Sequence, residues 1–202
     1  MKIGILGAGK ISGTLGRHWA KTGNQIFLSS RHPGDLQDLA KEIDHGAKVG
    51  TLEEAAVFGD VLVLAIPWRD KKDLPRSDLF EGKVVIDAMN PYTSYGTVQE
   101  LSPSTSSEEV AKLLPGARLV KAFNTMRVDD LRAGAVRKNR WAIFVAGDDP
   151  EAKRTVSRLT EEIGFVPIDT GSLHEGGKSQ QPGSPVYAKR LTEEEALAII
   201  RP

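Results

Sequence analysis

The sequence predicts an α/β domain built on a doubly wound, mostly parallel sheet, and three observations predict it. Short runs rich in Val and Ile recur with helix-like segments between them, the pattern of strands buried on both faces and joined by crossover helices. A glycine turn, Gly7-Ala8-Gly9, follows the first such run directly. The 202 residues suffice for one sizeable core and leave no room for a second full-size domain.

Eight strands are expected, over residues 2–6, 25–29, 47–49, 60–66, 83–88, 118–122, 141–146 and 165–169, too many short apolar runs for a helical bundle. Between the first two, Ile11, Leu15 and Trp19 recur at four-residue spacing and a glycine stop follows Lys21, which predicts one amphipathic helix. Asp148-Asp149-Pro150 opens another, because a carboxylate accepts the free amides of a first turn and proline suits the first helical position. Val156, Leu159 and Ile163 supply its buried stripe. Residues 102–107 are Ser/Thr-rich and read as a loop or as the start of a helix over about residues 107–114. Residues 176–185 turn to Gly, Pro, Ser and Gln, so a flexible loop is expected before a last helix, which the capping box Thr192/Glu195 starts.

Composition narrows the chemistry. Lys plus Arg number 27 against 27 Asp plus Glu, so no global basic field gathers phosphate backbones, and nucleic acid is not an expected partner. Cysteine is absent, which removes disulfides, thiolate nucleophiles and cysteine metal sites. The four histidines, at 18, 32, 45 and 174, lack the paired spacing of a metal site, and no metal is expected. His18 and His45 read as surface residues. The longest apolar run, residues 61–66, falls far short of the ~20 residues a membrane helix needs, and the first residues lack the pattern of an export signal, so a cytoplasmic location is expected.

The turn Gly7-Ala8-Gly9 between a first strand and a first helix lets the backbone approach a ligand that a Cβ would repel, with helix amides aimed at an anion. A dinucleotide pyrophosphate fits over Gly7, Ala8, Gly9, Lys10, Ile11 and Ser12, and the fold is then of the Rossmann type. The third glycine of that motif is replaced by Ser12, small enough to keep helix and strand close, with Gly13 one place late. A turn serving packing alone is the plainer reading.

The second strand ends Ser29-Ser30-Arg31-His32 where chains that bind the unphosphorylated cofactor place a carboxylate. With no acid there, Ser30 can donate to a 2′-phosphate and Arg31 can pair with it, which favours NADP(H) over NAD(H). Otherwise the segment is merely a polar turn. The fourth, fifth and sixth strands end in Ala65-Ile66-Pro67-Trp68, Met89-Asn90-Pro91-Tyr92 and Phe123-Asn124-Thr125-Met126, so small, amide and apolar groups converge where a nicotinamide would lie. Asn90 and Asn124 can bond the carboxamide, or Asn90 can serve as a turn former before Pro91. No proton donor stands out. Tyr92, Tyr95 and His174 are the candidates near the mouth, Asp87 reads as a brace for its loop, and no catalytic side chain is assigned.

The ordered set Gly7-Ala8-Gly9, Ser29-Ser30-Arg31, Asn90-Pro91, Val120-Lys121-Ala122-Phe123-Asn124-Thr125, Phe144-Val145-Ala146-Gly147-Asp148-Asp149, Gly164-Phe165 and Asp169-Thr170-Gly171-Ser172-Leu173 resembles the NADPH-dependent F420 reductases and the related reductase domain of the STEAP metalloreductases. The resemblance spans nearly the whole chain. It implies NADPH over residues 7–12 with its 2′-phosphate at Ser30 and Arg31. It also implies hydride transfer to a second redox ring, coenzyme F420 or a flavin (FMN or FAD), against Asn124, Thr125, Met126 and the turn at residues 171–173. Two stacked rings need positioning more than a side-chain acid, which agrees with the missing donor. The chain is then one dinucleotide-binding domain over residues 1–202, a Rossmann core over 1–170 with a short C-terminal loop and helix over 171–202 covering the second cofactor. Two other functions stay open, an NADPH-dependent reductase of a small carbonyl or imine and a non-catalytic NADPH sensor. A symmetric homodimer is the default assembly.

Overall fold

The computed structural model describes residues 1–43, 46–94, 96–134 and 140–200. His45 and Tyr95 lie outside the described residues. In chain order the elements are β1 (Lys2–Leu6), α1 (Lys10–Lys21), β2 (Gln25–Ser29), α2 (Gln37–Glu42), β3 (Lys48–Gly50), α3 (Leu52–Phe58), β4 (Val61–Leu64) and β5 (Val84–Asp87). A short hairpin follows, β6 (Tyr92–Ser94) and β7 (Thr97–Val98), then α4 (Ser106–Leu113), β8 (Arg118–Lys121), α5 (Val128–Ala133) and β9 (Ala142–Gly147). The chain continues through α6 (Pro150–Glu162), β10 (Val166–Gly171), α7 (Glu175–Ser179) and α8 (Glu193–Ile200).

The main sheet has eight strands in the order β10-β9-β8-β5-β4-β1-β2-β3, all neighbours parallel except β8 and β9. Strand order reverses beside β1, where β2 lies on one side and β4 on the other, so a crevice opens beyond their carboxyl ends. Each of the eight expected strands is present within a residue or two. The antiparallel step was not foreseen, because an apolar run carries no mark of its direction. It pairs Val120 with Gly147 and Lys121 with Ala146.

Alternation along the strands splits the core in two. Ile3, Ile5, Val61, Val63, Val84 and Ile86 face α1 and α6, whereas Leu62, Leu64 and Val85 face α3 and α4. Gly4 sits on the second face because a Cβ there would lie 2.2 Å from the Ala55 carbonyl oxygen, so its absence lets α3 seat directly on β1. On the first face Trp19 is fully buried, donates from Nε1 to the Leu159 oxygen at 2.9 Å and meets Phe123 edge to face, which ties α1 to α6 and to the end of β8.

Two helix starts follow the expected chemistry. Asp149 caps α6 through the amides of Glu151 and Ala152, and Thr192 and Glu195 form the reciprocal bonds of a capping box at α8. A further capping box, Thr105 with Glu108, starts α4 one residue before the expected start. The loop expected over residues 176–185 starts only at Gln180, because residues 176–179 are helical. Gly176 and Gly177 lie within α7 and are buried. A Cβ on Gly176 would come within 2.7 Å of Ala146 Cβ and 2.6 Å of Thr170 Oγ1, so this glycine serves close packing of α7 against β9 and β10. His18 is not a free surface group, since its Nε2 lies 2.9 Å from the Leu131 oxygen.

Candidate functional site

A cleft of about 770 Å³ opens at the strand reversal, within the size range of small-molecule and cofactor sites. Its floor is the turn Gly7-Ala8-Gly9 with Ile11. Gly7 has φ 126°, and a Cβ there would lie 2.4 Å from the Ala65 oxygen, so the turn requires glycine for the protein's own packing. Gly9 differs: a Cβ there would meet nothing within 4 Å, because it would project into open space. Gly9 is also the N-cap of α1; among the described residues no side chain caps that helix, and its first turn carries no acid. Its free amides therefore face the cleft with the positive end of the helix dipole, which suits an anion.

One end of the cleft is polar. Ser30, Arg31 and His32 line it, and the Ser30 hydroxyl oxygen accepts the His32 amide at 2.8 Å while its own O–H remains available to donate. Arg31 is not isolated from acids as the local sequence suggested. Its Nη2 lies 3.4 Å from Asp70 Oδ2 and its Nη1 3.5 Å from Asp73 Oδ2, both acids coming from the 3₁₀ segment Trp68–Asp73 after β4. They were invisible beside Arg31 because about forty residues separate them in the chain. Leu52, Arg69, Ala88 and Gly96 also reach the cleft and were missed; only their places just after strands or in short turns could have flagged them.

The opposite end is formed by Ala65, Ile66 and Pro67 after β4 and by Met89, Asn90 and Tyr92 after β5. Asn90 donates from Nδ2 to the Asn124 carbonyl oxygen at 2.9 Å and accepts from Asn124 Nδ2 at 3.1 Å, so the two amides form a reciprocal pair across the ends of β5 and β8. Asn124 also donates to the Gln180 carbonyl oxygen. The structure thus brings Asn90 to the cleft wall and sets Asn124 behind it. Asn124, Thr125 and Met126 are buried, at 5%, 3% and 5% exposure, and are not among the wall residues. Lys10, Ser12 and Pro91 also lie off the wall, Ser12 fully buried under the turn. The turn at residues 171–173 likewise does not reach the wall; Leu173 packs instead in the cluster that contains Met89 and Val110.

Behind the wall, a fully buried ion pair braces the loop after β5. Lys121 Nζ lies 3.1 Å from Asp87 Oδ2 and also donates to the Met89 carbonyl oxygen, while Asp87 accepts from the Met89 amide and from Ser107 Oγ. Burial pushes the Lys121 ammonium below its ordinary pKa, opposed by the Asp87 charge. Phe123, at the end of β8, holds φ 64°, in the left-handed region that a bulky side chain rarely adopts, and its packing on Trp19 fixes it there. Of the candidate proton donors, Tyr92 reaches the cleft and donates to Tyr187 Oη at 3.2 Å. Burial raises the Tyr187 pKa, with the Tyr92 bond adding to it. His174 pairs with Glu108 at 3.1 Å away from the cleft wall. Among the described residues no group of three His, Asp or Glu side chains could hold a metal ion, and no helix is long and apolar enough to cross a membrane.

Residues 2–91, which carry the glycine turn, Arg31 and Asn90, match the family described as NADP oxidoreductase, coenzyme F420-dependent. The chain is 33% identical over 173 residues to the metalloreductase STEAP3 of Rattus norvegicus, a match covering 85% of this chain and 34% of that protein. It spans about a third of the length of the curated relatives it matches, metalloreductase STEAP2 of Homo sapiens among them. Among solved structures, hypothetical protein SMa0349 of Sinorhizobium meliloti superposes with a TM-score of 0.84 at 29% identity, over 96% of this chain and 95% of that one. A protein of Arthrobacter sp. FB24, provisionally assigned as an F420-dependent NADP reductase, superposes with a TM-score of 0.78 at 22% identity, over 96% of this chain and 100% of that one, which speaks for the shared fold.

Proposed function

We propose that this chain, whose residues 2–91 match the coenzyme F420-dependent NADP oxidoreductase family, belongs to that family and transfers hydride between NADP(H) and coenzyme F420 or a flavin. The observation that carries this reading is the cleft itself, with an uncapped helix start and an open Gly9 at its floor, an arginine at one end and a mostly apolar wall carrying the Asn90 amide at the other. The residues present fit the dinucleotide. The amides that open α1 would hold its pyrophosphate, Ser30 and Arg31 its 2′-phosphate, and Asn90 with the backbone of residues 65–67 its carboxamide end. When bound, the nicotinamide would donate the hydride in its reduced form or accept it in its oxidised form. The chain positions it, excludes water with Ile66, Met89 and Tyr92, and keeps the wall rigid through the Asn90–Asn124 pair.

In this reading residues 1–202 act as one dinucleotide-binding unit, and the segment from residue 171 onward supports the wall through Gln180. The test is direct. Purified protein is mixed with NADPH and, in turn, F420, FMN and FAD, and the loss of nicotinamide absorbance is followed. Turnover with one acceptor supports the reading and identifies the acceptor. Tight NADPH binding with none of the three turning over sinks it and leaves a sensing role.

A further inference from the structure

The arginine end of the cleft carries charge of both signs. Asp70 and Asp73 line the same cleft as Ser30 and Arg31. The contacts of 3.4 and 3.5 Å are long for charge-assisted bonds, and the Arg31 side chain is 65% exposed, so two carboxylates share the loosely held Arg31 guanidinium, Asp70 also lying 3.7 Å from Arg69 Nε. The Asp70 side chain is 20% exposed and Asp73 is half exposed. An acid that merely shielded Arg31 from solvent would not have to stand where an incoming phosphate dianion needs the same N–H groups.

We propose that Asp70 and Asp73 set the preference between phosphorylated and unphosphorylated dinucleotides at this cleft, holding Arg31 in the free protein and opposing the 2′-phosphate that takes their place. This rests on the cofactor reading above and adds the residues that tune it. Two effects act in the same direction. The guanidinium must leave its carboxylates before it can clamp a phosphate, which lowers apparent affinity by the fraction of protein in which it is free. A phosphate seated on Arg31 then lies within a Debye length, about 8 Å, of two like charges. A bare ribose 2′-hydroxyl meets neither penalty and finds in Asp70 an acceptor. Discrimination is a difference of affinities, so carboxylates that oppose one ligand narrow the preference although they contact the other only weakly.

Isothermal titration with adenosine 2′,5′-bisphosphate and with AMP isolates the phosphate from the rest of the cofactor. Asp70→Asn and Asp73→Asn, each checked for an unchanged thermal melt, should bind the bisphosphate roughly 2- to 5-fold more tightly than the parent chain, with AMP affinity within about twofold. If the acids instead only position Arg31, both variants bind the bisphosphate equally or more weakly, while Arg31→Ala still erases the preference for it; that result overturns the inference and leaves the cofactor reading standing. A parent chain that binds the bisphosphate no better than AMP removes the cofactor reading itself, and the inference with it.

Discussion

Lys121 and Asp87 form an ion pair with no solvent contact: their side chains are both 0% exposed and Nζ lies 3.1 Å from Oδ2. The lysine also holds the carbonyl of Met89, one residue before the cleft amide Asn90. Removing one partner leaves a buried charge uncompensated, so Lys121→Ala should cost about 3–5 kcal/mol in urea unfolding. The double change Asp87→Asn with Lys121→Met should cost less than the sum of the two single changes. Strict additivity would show that the pair is not coupled.

The two glycines of the turn should fail in different ways. Gly7→Ala forces a Cβ against the Ala65 oxygen at φ 126° and should lower stability by roughly 1–3 kcal/mol. Gly9→Ala meets no protein atom and should melt with the parent chain, yet bind NADPH about tenfold more weakly because the methyl enters the space kept for the ligand. Thermal melts and a fluorescence titration read both. An unaltered affinity in Gly9→Ala would move the pyrophosphate away from this turn.

Arg31→Ala should weaken NADPH binding by roughly 1–3 kcal/mol, the range for a lost charge-assisted bond, and leave NADH nearly unchanged. Equal losses for the two dinucleotides, measured side by side, would take the 2′-phosphate from this residue.

Acid stability should depend on Asp149. The Arg118 side chain, bonded at 2.6 and 3.1 Å, and then the amides at the start of α6 hold its carboxyl well below the ordinary range. A carboxyl with a lowered native pKa stabilises fully above its unfolded value, about 3.9, and loses that contribution progressively as pH falls from there through the native value. Asp149→Ala should therefore melt several degrees below the parent chain at neutral pH, with the gap closing below about pH 4. A gap that stays constant into strong acid would mean that the charge of Asp149 is irrelevant.

Most of the scaffold was legible in the sequence because it is written in local terms. Val61 to Leu64 and Val84 to Asp87 read as strands since each is a short apolar run rich in Val, Leu or Ile, and Gly7-Ala8-Gly9 read as a ligand turn from its place between strand and helix. What escaped is non-local or carries no residue signature. The direction of β9 is set by packing, and the hairpin of β6 and β7 is too short and polar to show a period. Residues 176–185 share their composition with mobile loops, yet Gly176 is there for close contact. The wall residues followed from strand ends, but Asn124 lies one layer deeper than its position suggested, and the acids beside Arg31 come from a different strand end altogether.

The bond from Asn124 to the carbonyl of Gln180 makes the segment after α7 a keystone rather than an ornament. Removing the segment that holds Gln180 would leave the Asn124 amide in the interior without that acceptor and slacken its grip on Asn90, although no atom bordering the cleft had been cut away. A loss so far from the cleft would be felt at its centre.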